Sequence, residues 1–189
     1  MLFQTGYLTI HSVSSLGTFT PGYPNKEVRD SMYQHLLGAF REGSSVDSNP
    51  IVEQIIHALY AKDLAAFIKI DILFETLPYQ IFIKNQEAFF HAILHITLHL
   101  TGMHIESEVS TAKGRVDTII HTDSYIYIIE FKLDESADEA LAQIRKQRYG
   151  SKYLGQGKEV LAIGINFSSK LKAVAEWKDM PYEQLLVEA

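Results

Sequence analysis

A carboxylate and an ammonium group emerge side by side from an apolar run, YIYIIEFK, at residues 125–132. Side chains of an extended strand alternate between its two faces, so Glu130 and Lys132 lie on one face. The preceding run, GRVDTII at residues 114–120, places a second carboxylate, Asp117, among apolar neighbours. Two carboxylates on one face can provide oxygen ligands for a hard cation such as Mg²⁺. Water and the substrate phosphate would fill the remaining coordination positions. The pattern predicts a metal site on a hairpin.

The relative position of Asp117 and Glu130 depends on the length of the link that follows His121 in the run HTDS, residues 121–124. A two-residue turn places Asp117 opposite Ile128, and a four-residue link places it opposite Glu130. Both arrangements put the two acids on the same face, whereas a three-residue link puts them on opposite faces. The sequence leaves these registers open.

The E-x-K spacing alone is a weak signal, because a second copy occurs at Glu176 and Lys178. An isolated pair of this kind is typical of a solvated ion pair. The second copy lies in KLKAVAEWK, residues 170–178, without strand alternation or a facing acid. The pattern predicts neither a strand nor a site there.

One glutamate and three histidines form a ladder on a predicted helix, each four positions after the last: Glu87, His91, His95 and His99. Each step turns about 40° past a full turn and climbs about 6 Å, so one ion cannot bind all four. As the first rung, Glu87 is also a favourable anion near a helix N-terminus. His91 and His95 have the spacing of a zinc pair, but the glutamate of H-E-x-x-H and a third ligand are missing. We expect His95 and His99 to be packing or surface residues.

A basic cluster follows on the helix predicted at residues 136–149, which is acidic at its start. Such a distribution complements the helix dipole on a solvated face. The same cluster could instead contact phosphate groups, and the sequence does not decide between these interpretations. Its members are Arg145, Lys146, Arg148 and Lys152.

Hydrophobic periodicity arranges the second half of the chain as α-β-β-β-α-β, which predicts an α/β fold with a mixed sheet flanked by helices. We predict a boundary between residues 1–78 and residues 79–189. The predicted elements are a helix at 85–100 capped by Asn85, strands at 104–110, 115–121 and 125–132, a helix at 136–149 and a strand at 158–167. The first part is predicted to hold strands at 6–10 and 18–20 and helices at 26–41, 50–60 and 62–76, ended by Pro78.

Composition narrows the functional classes. The 189 residues include no cysteine, which excludes disulfides, thiolate zinc sites and a cysteine nucleophile. The net charge of −6 argues against a broadly basic surface that coats nucleic acid. Without an apolar signal or a membrane span, the sequence predicts a cytoplasmic protein. A strand directly after Met1 suggests the C-terminal part of a longer protein.

The order of Glu87 on a helix, GRVD, IIEFK and a helix carrying AQI resembles the PD-(D/E)XK nuclease superfamily. It is specifically similar to the nuclease-like C-terminal domain of bacterial AAA-ATPase-like proteins. The resemblance covers residues 79–189 and implies a restriction-endonuclease-like core. The segments FQTGYLTI and GYPNKEV are similar to the stretch that joins the ATPase and nuclease-like domains, which implies that residues 1–78 are a mostly helical extension.

The resemblance also implies a metal centre. Asp117 and Glu130 match the metal-binding acids, and Glu87 matches the acid of the first core helix. These residues would hold Mg²⁺ or Mn²⁺, helped by the Phe131 carbonyl, with Glu87 acting directly or through water. His91 would be either an outer partner that hydrogen-bonds a carboxylate or a phosphate, or a buried imidazole whose hydrogen bonds are satisfied elsewhere.

Lys132 matches the lysine of the motif, and Gln143 matches a glutamine of the following helix. Lys132 would position the attacking water or stabilise charge on the phosphate, and Gln143 would orient the nucleophile or substrate. One departure stands out, since relatives in an exonuclease-like branch carry a tyrosine one turn after the glutamine. Here that position is Gln147, and the nearest aromatic residue is Tyr149.

These residues imply a metal-dependent nuclease that hydrolyses phosphodiester bonds of nucleic acid, with DNA as the expected partner. The alternative is an inactive nuclease-fold module that binds nucleic acid or docks a protein. In either case, the resemblance implies an ATPase domain in the same or a related chain as a further partner.

Overall fold

A computed structural model of the protein describes residues 2–40, 49–69, 86–111 and 114–187. The chain forms two compact units, Met1–Val46 and Asp47–Ala189. The domain boundary predicted at residue 78 lies outside the described residues.

Residues 2–40, the described part of the first unit, form a hairpin and one helix. Strands β1 (Thr9–Val13) and β2 (Phe19–Gly22) pair antiparallel, and helix α1 (Lys26–Phe40) follows. The side chain of Asn25 accepts a hydrogen bond from Val28 N at 2.8 Å. Because the first backbone N–H groups of a helix lack intrahelical partners, this bond stabilises the start of α1.

The second unit is built on a five-stranded mixed sheet with strand order β3-β4-β5-β6-β7. Every pairing is antiparallel except β5 with β6, which is parallel. The predicted fold class is confirmed, since a mixed sheet flanked by helices is consistent with a restriction-endonuclease-like core. The strands are β3 (His104–Thr111), β4 (Gly114–His121), β5 (Tyr125–Leu133), β6 (Glu159–Ser168) and β7 (Ala173–Pro181).

The helices expected at 50–60, 85–100 and 136–149 lie close to the observed ranges, whereas the helix at Tyr182–Val187 was not predicted. Only residues 64–68 of the helix expected at 62–76 are helical, and residues 70–76 lie outside the described part, as does the predicted cap Asn85. None of the described helices is long and apolar enough to cross a membrane. The helices are α2 (Asn49–Ala61), α3 (Leu64–Ile68), α4 (Gln86–Leu100), α5 (Ala137–Gln147) and α6 (Tyr182–Val187).

The parallel pair β5 and β6 forms the centre of the sheet. Helix α5 connects the two strands, as parallel neighbours require. Both strands are buried along nearly their whole length, which is typical of parallel strands covered on both faces and explains their continuous apolar runs. A charged residue in the middle of β5 therefore lies in the interior of the protein.

The sequence pattern predicted no strand at residues 170–178, and this prediction was wrong, because β7 spans Ala173–Pro181. It lies at the edge of the sheet, where its mixed exposure gives no regular alternation. Its Glu176 accepts a hydrogen bond from Ala137 N at 3.1 Å, and its Lys178 pairs with Asp138. The second E-x-K copy therefore anchors the first turn of α5.

A buried tyrosine ties α2 to the sheet. The Tyr127 hydroxyl donates a hydrogen bond of 2.6 Å to the backbone carbonyl of Leu59, in the last turn of α2. Both residues are fully buried. Because carbonyls in the last helical turn lack intrahelical partners, Tyr127 satisfies a group that water cannot reach.

Replacing Tyr127 by Phe should lower the free energy of unfolding by about 1 to 2 kcal/mol, since the Leu59 carbonyl loses its donor. Tyr125→Phe is the matched control, because Tyr125 is only half-buried. Urea denaturation of wild type and both variants measures the difference. Equal destabilisation by the two substitutions would contradict this role of the Tyr127 hydroxyl.

Candidate active site

The pairing of β4 with β5 brings Asp117 to Glu130. Thr118 pairs with Ile129, so one further step places Asp117 opposite Glu130. Because His121 pairs with Ile126, the link consists of the four residues 122–125, which is one of the alternatives that the sequence left open. The Asp117 side chain then takes the place of a backbone acceptor between the two strands, because its Oδ2 accepts a hydrogen bond from Phe131 N at 2.9 Å.

Glu130 is a buried carboxyl group, with 2% of its surface exposed. Its Oε1 accepts a hydrogen bond from Gln143 Nε2, and its buried Oε2 has no hydrogen-bond partner among the described residues. The pKa of Glu130 is raised to about 8, first by burial and second by the charge of Asp117, while Lys132 acts to lower it. Glu130 therefore holds a proton near neutral pH when no cation is nearby.

These features fit a divalent cation. A buried oxygen without a hydrogen-bond partner destabilises the folded protein, and a second carboxylate close enough to repel it adds to this effect. Both effects are relieved when a positive charge is supplied. A hard cation such as Mg²⁺ or Mn²⁺ binds to oxygen ligands of this type. Asp117 and Glu130 are the residues that would hold it.

Lys132 and Glu130 are joined through Gln143. Lys132 Nζ donates a hydrogen bond of 2.8 Å to Gln143 Oε1, while the amide group of Gln143 donates to Glu130. Lys132 also lies 3.8 Å from the Glu135 carboxylate, with 20% of its own side chain exposed. The amide of Gln143 therefore fixes the positions of both the lysine and the buried acid.

Tyr149 is a site residue that motif spacing did not identify. Arg148 ends α5 in the left-handed conformation, with φ 54°, and turns the chain back towards the helix. The Tyr149 ring is consequently buried, and a side-chain hydrogen bond joins it to Gln143. Burial and the Glu130 charge both raise the pKa of Tyr149. A buried aromatic residue after a helix C-cap was the available signal.

The ladder on α4 is only partly described. Glu87 lies in the first turn of α4, but its side chain is outside the described residues, so its metal role stays a prediction. The His91 ring contacts Phe131 with centroids 5.6 Å apart, and its buried Nε2 has no hydrogen-bond partner among the described residues. Strand alternation places Phe131 on the face opposite Glu130. The rings of His95 and His99 contact each other at 4.3 Å.

The basic cluster has mixed surroundings. Lys146 and Arg148 are exposed, and Arg145 is half-buried. Lys152 lies 3.4 Å from Glu106 and over the ring of Tyr153. Lys152 thus has an acidic neighbour, and phosphate contact by the cluster stays a prediction.

The elements that carry these site residues, β4, β5 and α5, lie within the part of the chain that matches a family of known proteins. Residues 85–177 match the PD-(D/E)XK nuclease superfamily. This match supports the superfamily that the motif residues resemble. The part of the chain that matches includes Asp117, Glu130, Lys132 and Gln143.

A relative occurs in Azotobacter chroococcum mcd 1, where it is described as an uncharacterized protein in the vnfD 5′ region. It is 28% identical over 185 residues, covering 92% of this chain and 36% of the relative. The chain thus spans about a third of the length of that protein. No solved structure gives a significant match.

Glu130→Gln should stabilise the metal-free protein, and the gain should grow with pH. The folded protein raises the pKa of Glu130 from 4.5 to about 8. The contribution of this group to the stability of the wild type is therefore fully present below pH 4.5 and is lost as pH rises to about 8. The amide does not titrate. The free energies of unfolding of the two proteins, measured by urea denaturation in EDTA, should separate by about 1 kcal/mol per pH unit in this window.

Glu53→Gln, at an exposed position of α2, is the matched control and should follow the wild type. Curves for Glu130→Gln and wild type that run parallel from pH 4.5 to pH 8 would refute the burial of an ionisable group at this position.

Proposed function

We propose that this protein is a metal-dependent nuclease that hydrolyses phosphodiester bonds of nucleic acid, with DNA as the first substrate to test. The observation that carries the proposal is the buried Glu130 beside Asp117, connected to Lys132 through Gln143. Two acids and a lysine at one strand end are the groups that metal-assisted hydrolysis requires. The superfamily match over residues 85–177 supports the same reaction.

In this mechanism, Asp117 and Glu130 would hold Mg²⁺ or Mn²⁺, helped by the Phe131 carbonyl and, directly or through water, by Glu87. When bound, the ion would supply Lewis acidity to polarise the phosphate and to lower the pKa of the attacking water. Glu130 releases its proton when it becomes a ligand, because nearby positive charge favours the carboxylate.

Lys132 orients the attacking water or stabilises the charge that develops on the phosphate. Gln143 keeps the ammonium group in place through its 2.8 Å hydrogen bond. Tyr149 restrains Gln143 in turn, so the lysine is positioned by two residues of the α5 region.

A second candidate function is a nuclease-fold module without turnover, which binds nucleic acid or docks a protein attached to an AAA-type ATPase. The net charge of −6 favours it, because acidic surfaces repel phosphate. The relative's greater length leaves room for a further domain. The intact acids and lysine favour the enzyme.

Asp117→Asn should reduce hydrolysis to the uncatalysed background, because the cation loses a charged ligand. Folding should survive, since an amide oxygen can still accept the Phe131 N–H and the repulsion on Glu130 is relieved. Lys132→Ala should reduce the rate by about 100-fold or more while leaving Mg²⁺ affinity largely unchanged. Cleavage of single-stranded and double-stranded DNA and RNA is measured with Mg²⁺, Mn²⁺ and EDTA, alongside metal affinity by calorimetry.

Asp123→Asn and Lys170→Ala, both at exposed positions, are the matched controls and should keep wild-type rates. If the wild type binds nucleic acid but cleaves none of the substrates with either metal, and neither site substitution changes that binding, the module without turnover is the correct function.

Tyr149→Phe tests the positioning of Gln143. Without the hydroxyl, the Gln143 amide is less restrained, so cleavage should slow by about tenfold, while the buried ring keeps its packing. Mg²⁺ affinity should stay within about twofold of wild type, because Tyr149 is not a ligand. A matched loss of rate and thermal stability, with full recovery of the rate at a lower temperature where the variant is folded, would indicate a structural role only.

A further inference from the structure

A second group of metal-binding side chains lies on β3 and β4. His104, Glu106 and His121 each offer a ligand atom, and these atoms lie within 4.8 Å of one another. Strand pairing produces this arrangement, because His104 pairs with His121 and Glu106 pairs with Ile119. His121 and Asp117 are four positions apart on β4, or about 13 Å at the rise of a strand. The group is therefore separate from the candidate active site.

We propose that His104, Glu106 and His121 bind Zn²⁺, or a transition ion of the same class, as a second metal site. Two imidazoles and one carboxylate are a ligand set that zinc uses when its fourth position is open to water or another ligand. This mixed nitrogen and oxygen set differs from the oxygen ligands that Mg²⁺ prefers.

The distances suit an ion between the side chains. Zinc lies about 2.0 Å from nitrogen and oxygen ligands, so tetrahedral neighbours are about 3.3 Å apart. Glu106 Oε1 lies 2.8 Å from His121 Nε2 and 3.8 Å from His104 Nε2. Small rotations of the two rings would bring both distances to that value. The exposed His104 ring, with 71% of its side chain accessible, is free to make this adjustment.

The protonation states also suit a metal. Burial lowers the pKa of His121, although Glu106 raises it in part, so the ring is neutral near pH 7. Burial alone raises the pKa of Glu106, but hydrogen bonds from Tyr153 and His121 lower it overall, so the group is a carboxylate. Neutral imidazole and ionised carboxylate are the forms that bind zinc. The His121 proton needs only to occupy Nδ1 when Nε2 binds the ion.

The surroundings hold the carboxylate in place. The Tyr153 hydroxyl donates a hydrogen bond of 2.9 Å to Glu106 Oε1, and the His121 ring packs edge-on against Tyr153. Outer hydrogen bonds of this kind orient metal ligands and raise affinity. Lys152 competes as a cation at Glu106 Oε2, but at 3.4 Å and half exposed it is a weak ion pair.

The test is a titration of the full chain with Zn²⁺ by calorimetry and with Co²⁺ by visible absorption, followed by thermal unfolding. Wild type should bind one ion at this site and gain thermal stability, because the ion binds only the folded state. His104→Ala should weaken binding by at least about tenfold. Its exposed position makes this the variant best able to fold normally.

His121→Ala and Glu106→Gln should also weaken Zn²⁺ binding, and Tyr153→Phe should weaken it by about tenfold as an outer partner. His95→Ala, on α4, is the matched histidine control and should leave Zn²⁺ affinity unchanged. Mg²⁺ affinity should be the same in wild type and His104→Ala, which separates this site from the acids of the proposed nuclease.

Three results would overturn the proposal. Wild type could fail to bind Zn²⁺ at micromolar concentrations. Zn²⁺ and Co²⁺ binding could survive His104→Ala unchanged. Binding could instead be lost in His95→Ala or Asp117→Asn, which would place the ion on α4 or at the other acids.

Discussion

A carboxyl group buried at the end of β5 is the constraint around which the second unit is organised. Glu130 lies on a strand covered on both faces, so its charge cannot be solvated by water. The polar groups near it compensate only in part, since one oxygen has a donor and the other has none among the described residues. Such a group is tolerated where it serves function, because burial without a partner destabilises the folded protein.

Helix α5 supplies the contacts that make this burial specific. Ser136 accepts a hydrogen bond from Glu139 N at its first turn, and Glu176 of β7 accepts another from Ala137 N. The left-handed Arg148 ends the helix and returns the chain to it. These two ends determine where Gln143 lies over the sheet. The functional contacts to the acid and the lysine thus depend on capping interactions remote from the chemistry.

The proposed sites differ in ligand chemistry on one sheet. The acids of β4 and β5 offer oxygen only, with Glu130 buried and Asp117 half-buried, which suits a hard cation that also binds phosphate. The group on β3 and β4 combines imidazole nitrogen with one carboxylate and is partly exposed, which suits zinc. The two proposed sites would therefore prefer different ions, because ligand type and geometry contribute to metal selectivity.

The sequence by itself determined the order of elements from α4 to β6 and the shared face of Glu130 and Lys132, because hydrophobic periodicity records side-chain direction within an element. Tertiary structure decided which of three links joins β4 to β5, that β7 pairs at the edge, and that Tyr149 turns back to Gln143. It also brought His104 to His121 across a strand pair. Contacts between elements depend on hydrogen-bond register and on burial by distant residues, which spacing along the chain does not encode.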